Sequence, residues 1–462
     1  MDNLLRREYR GIHEAAGPIF IIRNIHNVGY NELVEVEDES GETRTGITIE
    51  VGTGYAAVQV LGGTSGLSLS SCRVRFREEP LLLGCSEGML GRTFDGTGRP
   101  LDGMPKPPGD AFLNVNGMAI NPTAREYPRD IIETGISTID VMNTLVRGQK
   151  LPIFSGSGLP HDLMAAQIAR QARAKGESFC VVFAAMGVKY DTARFFLGSF
   201  EESGVLDKVA VFLSLADSPS IERITTPRLA LTCAEYLAFE RDMQVLVILT
   251  DMSNYCEALR ELSTMRGEIP ARKGYPGYLY SDLASLYERA GRIIGKKGSV
   301  TQIPILTMPN DDLTHPIPDL TGYITEGQIV LDRELAARGV YPPVAVLPSL
   351  SRLMKDNIGE GFTREDHPGL ASQLFAAYAR AKEIRSLASI IGEEELTAID
   401  RTYLAYGDAF EDRFVRQRPD ERRTLEESLS LGWEIVSLLP REELVRIREE
   451  IVAQYYRGSN AA

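Results

Sequence analysis

The first part of the chain contains short stretches in which hydrophobic and polar residues alternate with a period of two. These stretches lie at 18–23, 33–37, 44–51, 55–61 and 72–77. Such alternation predicts β-strands with one buried face, and the turn residues between the stretches predict tight connections. Five or six short strands at this spacing predict a small closed β-barrel over residues 1–77.

A different pattern follows, in which apolar runs alternate with stretches of helical period. The near-continuous apolar run 245–249 is an example of a strand, and helices are predicted at about 192–203 and 219–241. This alternation predicts a mostly parallel sheet covered on both faces, and ligands bind such sheets at the carboxyl ends of the strands. We therefore predict a central α/β domain over residues 78–365, which the Gly- and Pro-rich segment 80–121 connects to the barrel.

The end of the chain is helical in pattern. The stretches with helical spacing of apolar residues are 370–391, 393–414, 424–438 and 441–456. Acidic residues near several helix starts are favourable to the helix dipole. The pattern predicts a C-terminal helical bundle over residues 366–462. The fold class predicted for the whole chain is thus multidomain α/β, with a β-barrel before the α/β domain and a helical bundle after it.

Composition narrows the class of partner. The chain of 462 residues is 43% hydrophobic and 25% charged, which is ordinary for a globular protein, and no apolar run is long enough to span a bilayer. Its net charge of -14 disfavours nucleic acid and anionic membranes as partners, because both require a basic face. Five dispersed cysteines and five scattered histidines predict reduced thiols and no metal site. The N-terminus lacks an apolar core of signal-peptide type, which predicts a cytoplasmic protein.

One turn has the setting of a phosphate-binding loop, because it lies between a short apolar strand and a helix predicted over about 161–174. Aligning it with the pattern G-x-x-x-x-G-K-[ST] gives Ser155, Gly156, Ser157, Gly158, Leu159, Pro160, His161 and Asp162. We call residues 155–162 the altered loop, since the residues that define the pattern have changed.

Three residues of the altered loop oppose polyphosphate binding. Pro160 stands at the second glycine and removes a backbone N–H that would face a phosphate oxygen. His161 replaces the lysine, and an imidazole is mostly neutral at cytoplasmic pH. Asp162 replaces the magnesium-binding hydroxyl, and a like charge about 4 Å from phosphate costs on the order of 4 kcal/mol at an effective dielectric near 20. We therefore predict that this turn does not hydrolyse nucleotide, although the turn alone is equally compatible with an ordinary Gly-rich connection.

Four further stretches complete a pattern that resembles a known family. They are ETGISTIDVMNTLVRGQK at 133–150, LTDMSNYCEALR at 249–260, KGYPGYLY at 273–280 and PSLSRL at 348–353. With the altered loop, they make the chain similar, over essentially its whole length, to the B subunits of A-type and V-type rotary ATPases, which are the non-catalytic nucleotide-site chains. The resemblance implies a RecA-like central domain and no ATPase activity of the isolated chain.

The resemblance also implies partners and ligands. Three copies of this chain would alternate with three catalytic A subunits around a central shaft, with peripheral stalk subunits and only an indirect link to the membrane. ATP or ADP would bind at the interfaces with the catalytic subunits. Magnesium would be held mainly by the catalytic subunits, and this chain alone would hold no cofactor tightly. The complex would couple ATP synthesis or hydrolysis to proton or sodium transport.

By family pattern, Arg352 is an arginine finger that reaches in trans into the neighbouring catalytic pocket. A permanently charged guanidinium beside the γ-phosphoryl group stabilises the charge of the transition state. The alternative for Arg352 is a local ion pair. Ser349 and Ser351 would contact nucleotide at the interface or pack within the protein, and the same alternatives apply to Tyr278 and Tyr280.

Two further positions bear on catalysis. Catalytic chains of the superfamily carry Gly-Glu-Arg after the strand that follows the phosphate loop, whereas this chain has Gly187, Val188 and Lys189. Because a valine cannot orient water, the catalytic base is missing as well. Asp251 lies where a hydrolase holds a magnesium-associated Asp, or it caps the next helix.

Other interpretations stay open at this point. One is a stand-alone ATPase with an unusual phosphate loop, and another is a non-enzymatic scaffold. The Pro-rich segment 308–319, interpreted as a loop, would face either the shaft or a neighbouring chain of the ring.

Overall fold

The computed structural model describes residues 8–61, 63–174 and 178–458. The chain divides into two compact units. Unit 1 comprises Met1–Ala119, Val182–Arg241 and Asp251–Arg289, and unit 2 comprises Ile120–Val181, Asp242–Thr250 and Ala290–Ala462. Parts of the predicted segments 1–77 and 366–462 lie outside the described residues, namely 1–7, 62 and 459–462.

The strands are given in chain order. They are β1 (Glu8–Arg10), β2 (Glu14–Ala16), β3 (Ile19–Arg23), β4 (Glu32–Glu37), β5 (Thr43–Gly52), β6 (Tyr55–Val60), β7 (Arg73–Pro80), β8 (Leu82–Cys85), β9 (Thr93–Asp95), β10 (Ala111–Asn114), β11 (Arg125–Glu126), β12 (Ile131–Glu133), β13 (Leu145–Val146), β14 (Ile153–Gly156), β15 (Arg173–Ala174), β16 (Phe179–Val188), β17 (Val209–Leu215), β18 (Gln244–Thr250), β19 (Gly291–Ile293), β20 (Ser299–Met308), β21 (Gly327–Leu331) and β22 (Val344–Ser351).

The α-helices follow the same order. They are α1 (Ser137–Met142), α2 (His161–Gln171), α3 (Tyr190–Glu202), α4 (Ser220–Phe239), α5 (Met252–Met265), α6 (Leu279–Tyr287), α7 (Pro316–Ile324), α8 (Arg333–Ala337), α9 (His367–Ile391), α10 (Ala398–Ala409), α11 (Leu425–Val436) and α12 (Glu449–Tyr455). A π-helical segment, Phe410–Val415, continues α10.

The N-terminal strands form one antiparallel sheet in the order β1-β7-β4-β5-β6-β3-β2. Alternate residues of these strands point into one core, as the period of two predicts. The core side chains include Phe20, Ile22, Val34, Val36, Val58, Val60, Val74 and Phe76. This part of unit 1 confirms the predicted N-terminal all-β domain.

Unit 1 also contains the part of β16 from Val182 onward, followed in the sheet by β17 and β9. β17 and β9 are parallel, and α4 packs against β17. Parallel strands covered by helices are the arrangement that the sequence predicted for the central domain.

In unit 2, five neighbouring strands have the order β22-β21-β14-β20-β18. The pairs β21-β14, β14-β20 and β20-β18 are parallel, whereas β22 is antiparallel to β21. The carboxyl ends of β21, β14, β20 and β18 therefore meet at one edge of the sheet. β22 ends at the opposite edge, where β14 and β21 begin. This reversal decides where the residues after β14 and after β22 lie.

The helical part of unit 2 has an aromatic core. The Phe410 ring packs at a tilt against Tyr378, at 4.6 Å between centroids, and stacks against Phe414 at 5.2 Å. The buried Glu411 carboxylate accepts hydrogen bonds from Tyr378, at 2.8 Å, and from Arg385, at 2.9 Å. Burial raises the pKa of Glu411, but hydrogen bonds from the surrounding donors outweigh it and hold the pKa below its ordinary value.

The structure corrects several predicted element bounds. α2 ends at Gln171 instead of extending to 174, because β15 leaves the helix to pair with β12. In the α/β region, α6 ends at Tyr287, and the strand β19 that follows it pairs with β20. The helix predicted over 441–456 is α-helical only in α12. The segment 308–319 is not a loop throughout, since Pro316 begins α7.

His367, at the first position of α9, is fully buried. Its Nε2–H donates to the Val141 carbonyl oxygen at 2.9 Å, and its Nδ1 bonds to the Thr363 hydroxyl at 3.1 Å. Burial lowers the pKa of His367 from 6.5 to about 4, because it penalises the charged imidazolium. The folded protein therefore holds this imidazole neutral between these two values.

We expect the helical region to lose stability as the pH falls from 6.5 to 4. In this window the unfolded chain binds a proton at His367 and the folded chain does not, so protonation favours unfolding. The pKa difference corresponds to on the order of 3 kcal/mol at pH 4. A His367→Gln variant lacks this contribution, so its free energy of unfolding is expected to fall by less than that of the wild type between pH 6.5 and pH 4. Trp433, the only tryptophan, lies in the same core and reports urea unfolding by fluorescence.

The matched control is His13→Gln, because His13 is exposed. This variant is expected to follow the wild-type pH dependence. Equal pH dependence of wild type and His367→Gln would contradict the role of His367.

Candidate functional site

The altered loop closes on itself at the carboxyl end of β14. Gly158 has a φ of 79°, the left-handed conformation that a glycine adopts without strain. Leu159 N–H donates to Gly156 O at 3.1 Å, and His161 N–H donates to Leu159 O at 2.9 Å. Ser155 Oγ and His161 Nδ1 share a hydrogen bond at 3.0 Å. The backbone and side chains of the loop thus bind one another across the turn.

The start of α2 already carries a negative charge. Pro160 is the N-cap residue and has no N–H, and Asp162 lies in the first turn. The Asp162 carboxylate is 3.7 Å from His161 Nε2. A carboxylate in the first turn is favourable to the positive end of the helix dipole, which is the charge that a phosphate would otherwise use.

An ion pair that the sequence analysis missed lies over the altered loop. Arg333 donates to both carboxylate oxygens of Asp311, at 2.7 and 2.9 Å, and to Ser157 O at 3.0 Å. The Arg333 guanidinium holds the pKa of Asp311 below its ordinary value, so this carboxyl stays charged. A Cβ on Gly156 would lie 2.0 Å from Asp311 Oδ1, so the carboxylate touches the glycine itself.

The only signal for this pair in the sequence was the position of Asp311 after β20, at the edge where ligands bind such sheets. With Asp162 and Asp311 both charged beside the turn, the residues of the altered loop do not fit a magnesium-bound triphosphate.

In unit 1, β16 ends at Val188, and Lys189 precedes α3. Val188 is buried and has no polar atom in its side chain, so it cannot orient a water molecule. Asn254 Nδ2 donates to Gly187 O at 3.2 Å. Asp251 accepts the Ser253 N–H at 2.7 Å and caps α5, which is the structural alternative that the sequence left open for it.

Arg352 follows the last residue of β22, at the edge of the unit 2 sheet opposite to the altered loop. Its backbone N–H donates to Glu326 O at 2.9 Å, and its Nη1 lies 3.4 Å from Thr325 O. The side chain is exposed and forms no ion pair with a carboxylate of the described residues. A local ion pair, the structural alternative for Arg352, is therefore not seen in this part of the chain.

Ser349 and Ser351 are buried, and their hydroxyl groups bind within unit 2. Ser349 Oγ donates to Ala345 O at 2.6 Å and accepts the Val330 N–H at 3.0 Å. Ser351 Oγ donates to Thr144 O at 2.9 Å and accepts from Gln149 Nε2 at 2.9 Å. This geometry favours packing over nucleotide contact for both residues.

Tyr278 and Tyr280 lie in unit 1, at the start of α6. Burial raises the pKa of Tyr278 to about 12, and Tyr280 is 49% exposed. Neither position by itself indicates a nucleotide contact.

Two further observations concern the described residues as a whole. They contain no group of three or more His, Cys, Asp or Glu side chains arranged to hold a metal ion. In the same part of the chain, every helix is too short or too polar to cross a membrane.

Comparison with family models accounts for most of the chain. The β-barrel domain of the ATP synthase alpha/beta family matches residues 12–78, and the nucleotide-binding domain of that family matches 135–351. The C-terminal domain of V and A type ATP synthase matches 356–456. These matches confirm the predicted order of barrel, α/β domain and helical domain.

Individual relatives are similar over nearly the whole length. The V-type ATP synthase beta chain of Halothermothrix orenii is 59% identical over 99% of both chains. The B subunit of the A-type ATP synthase of Aeropyrum pernix is 60% identical over 97% of this chain and 98% of its own. Among solved structures, the ATP synthase subunit NeqB from Nanoarcheaum equitans is 40% identical, with a TM-score of 0.72, and covers 92% of this chain and 100% of its own. The chain therefore belongs to the ATP synthase alpha/beta family, among its V-type and A-type beta chains, or B subunits.

Proposed function

We propose that this chain is a non-catalytic, regulatory subunit in the soluble head of a rotary ATP synthase or ATPase of A or V type. In this proposal it alternates with a catalytic subunit in a ring of three copies each and contacts the central shaft and peripheral stalk. Its link to the membrane is indirect. It supplies Arg352 to the ATP site of the catalytic subunit, and the complex couples ATP synthesis or hydrolysis to proton or sodium transport.

The position of Arg352 in the sheet carries the proposal. Gly327 pairs with Ser351, and Val330 pairs with Phe154. Along the strands, three residues lead from Gly327 to Val330, and two more lead from Phe154 to Gly156. At about 3.3 Å per residue, the Arg352 turn therefore lies roughly 16 Å from the altered loop along the strand direction. Arg352 therefore lies at the edge of the sheet opposite to the altered loop, and its exposed guanidinium is available to a site outside this chain.

The chemistry of phosphoryl transfer gives Arg352 its role. Charge develops on the γ-phosphoryl oxygens in the transition state, and a planar, permanently charged guanidinium stabilises it. A finger supplied in trans contributes about 10³ to 10⁵ in rate in related systems. The magnesium ion and most nucleotide contacts belong to the catalytic subunit in this proposal.

The altered loop supports the non-catalytic part of the proposal. Pro160 withholds an N–H, Asp162 occupies the helix start, and Asp311 touches Gly156. Val188 stands where the catalytic base would be. The proposed domain bounds, 1–77, 78–365 and 366–462, remain predictions.

We expect that Arg352→Ala does not prevent assembly of the ring with the catalytic subunit and that it reduces ATP turnover at least 100-fold. The variant lacks only the guanidinium that stabilises the charge on the γ-phosphoryl oxygens in the transition state. Native mass spectrometry counts the subunits, and a coupled assay measures turnover. Arg352→Lys is expected to restore little, since a lysine lacks the planar fork.

The control for this experiment is Arg418→Ala, which removes a cation that is 75% exposed and paired with Asp420. This variant should keep full turnover. Undiminished turnover of the Arg352→Ala ring, or substantial turnover by the isolated chain, would contradict the proposal. In the second case, the chain would be a stand-alone ATPase.

The altered loop yields a second prediction. Pro160→Gly combined with His161→Lys and Asp162→Thr is expected to strengthen Mg-ATP binding by the isolated chain at least tenfold. Adding Asp311→Ala is expected to strengthen it further, because the carboxylate beside Gly156 is removed. Isothermal titration calorimetry measures both.

Adding Asp412→Ala to the triple variant serves as the control, because Asp412 is exposed and lies in the helical region. It should not change the affinity. Tight Mg-ATP binding by the unaltered chain would contradict this account of the loop.

A further inference from the structure

Lys150 and Glu326 form an ion pair that belongs neither to the altered loop nor to the side chain of Arg352. Lys150 Nζ lies 2.7 Å from Glu326 Oε1, and the Lys150 side chain is only 4% exposed. The pair is closed by two backbone hydrogen bonds. Lys150 N–H donates to Glu326 Oε2 at 2.8 Å, and Glu326 N–H donates to Lys150 O at 3.1 Å.

Fold stability alone is a weak reason for this pair. Withdrawing a lysine from water is costly, and apolar residues of similar size often replace buried ion pairs without loss of stability. The ion pair has a different effect, which is to fix geometry. Together with the two hydrogen bonds, it holds the peptide of Glu326 in one orientation.

That peptide is the one to which Arg352 is bound. Glu326 O accepts the Arg352 N–H at 2.9 Å and also accepts from Gln149 Nε2 at 3.2 Å. Gln149 Nε2 donates at 2.9 Å to Ser351 Oγ, on the residue before Arg352. Ser351 is thus bound to Gln149 directly, and Arg352 is linked to Gln149 and Lys150 through the Glu326 residue.

We propose that Lys150 and Glu326 are positioning residues for Arg352: the pair of buried Lys150 and half-buried Glu326 fixes the Glu326 carbonyl oxygen, which sets the backbone from which the guanidinium extends. This inference rests on the proposed function and specifies how this chain sets the geometry of the neighbouring site. Neither residue touches nucleotide in this scheme. They act only through Arg352.

The expected effect follows from the accuracy that catalysis demands. A charge misplaced by about 1 Å costs on the order of 100-fold in rate. Ground-state binding of MgATP by the catalytic subunit depends much less on a group that acts in the transition state. Loosening the pair should therefore lower kcat and leave KM nearly unchanged.

The test uses the full ring with the catalytic subunit present and the double variant Lys150→Met with Glu326→Gln, which removes both charges of the pair together. We expect kcat to fall 10- to 100-fold, KM for MgATP to stay within twofold, and the subunit count of the ring to be unchanged. Glu326→Gln alone is the second variant, and the urea midpoint of each isolated chain shows that it is folded.

A double-mutant cycle separates positioning from general damage to the fold. In the Arg352→Ala background, the Lys150→Met and Glu326→Gln changes should cause no further loss of kcat, because their effect passes through the guanidinium that is already absent. Glu434→Gln, which breaks the exposed pair of Glu434 with Arg413, is the matched control and should leave kcat unchanged in both backgrounds.

The outcomes are distinguishable. Full turnover of the Arg352→Ala ring would overturn the proposed function itself. If Arg352→Ala removes turnover, then unchanged kcat in the folded double variant would overturn the positioning role. An equal loss of kcat with and without Arg352 would overturn it too.

Discussion

The antiparallel edge strand β22 is the constraint on which the functional geometry of unit 2 depends. Its direction sends Arg352 to the edge where β14 begins, while the altered loop lies where β14 ends. Parallel pairing of this last strand would have brought both features to the same edge. The Lys150 and Glu326 pair then links the end of β22 to the segment just before β14. One reversal of chain direction thus separates Arg352 from the altered loop.

The altered loop lies between a strand and a helix, as a nucleotide-binding turn does, but has different electrostatics. In a phosphate-binding loop, the helix start and a lysine present positive charge to a ligand. Here Asp162 occupies the helix start, and the Arg333 guanidinium is bound by Asp311. The positive charge at this edge is neutralised by the protein itself, which agrees with membership of a nucleotide-binding family and with a proposed non-catalytic role.

Local patterns predicted the fold because local physics determines them. The alternation of Val34 and Val36 assigned a strand with one buried face, and Asp251 before α5 was recognisable as a possible cap. The limits of the predictions lie where tertiary pairing overrides local preference. β15 lies at the end of the stretch 161–174 that was predicted to be helical, yet it pairs with β12, and no local signal predicts that partner.

The candidate site shows the same difference between local effects, which the sequence reveals, and tertiary contacts, which it does not. Pro160, His161 and Asp162 could be interpreted from the sequence because each acts on its own turn. The Asp311–Arg333 pair could not, since its residues are 22 positions apart and meet only through the register of β14, β20 and β21. Similarly, Ser351 looked available for a ligand until the structure showed it bound to Gln149 and Thr144.

The contact between Asp311 and Gly156 explains a glycine that stands at a variable position of the phosphate-loop pattern. In this chain it makes room for a carboxylate of the protein, and any side chain at position 156 would collide with that group. A glycine at this position is therefore required by the protein's own ion pair, whether or not the turn binds a nucleotide.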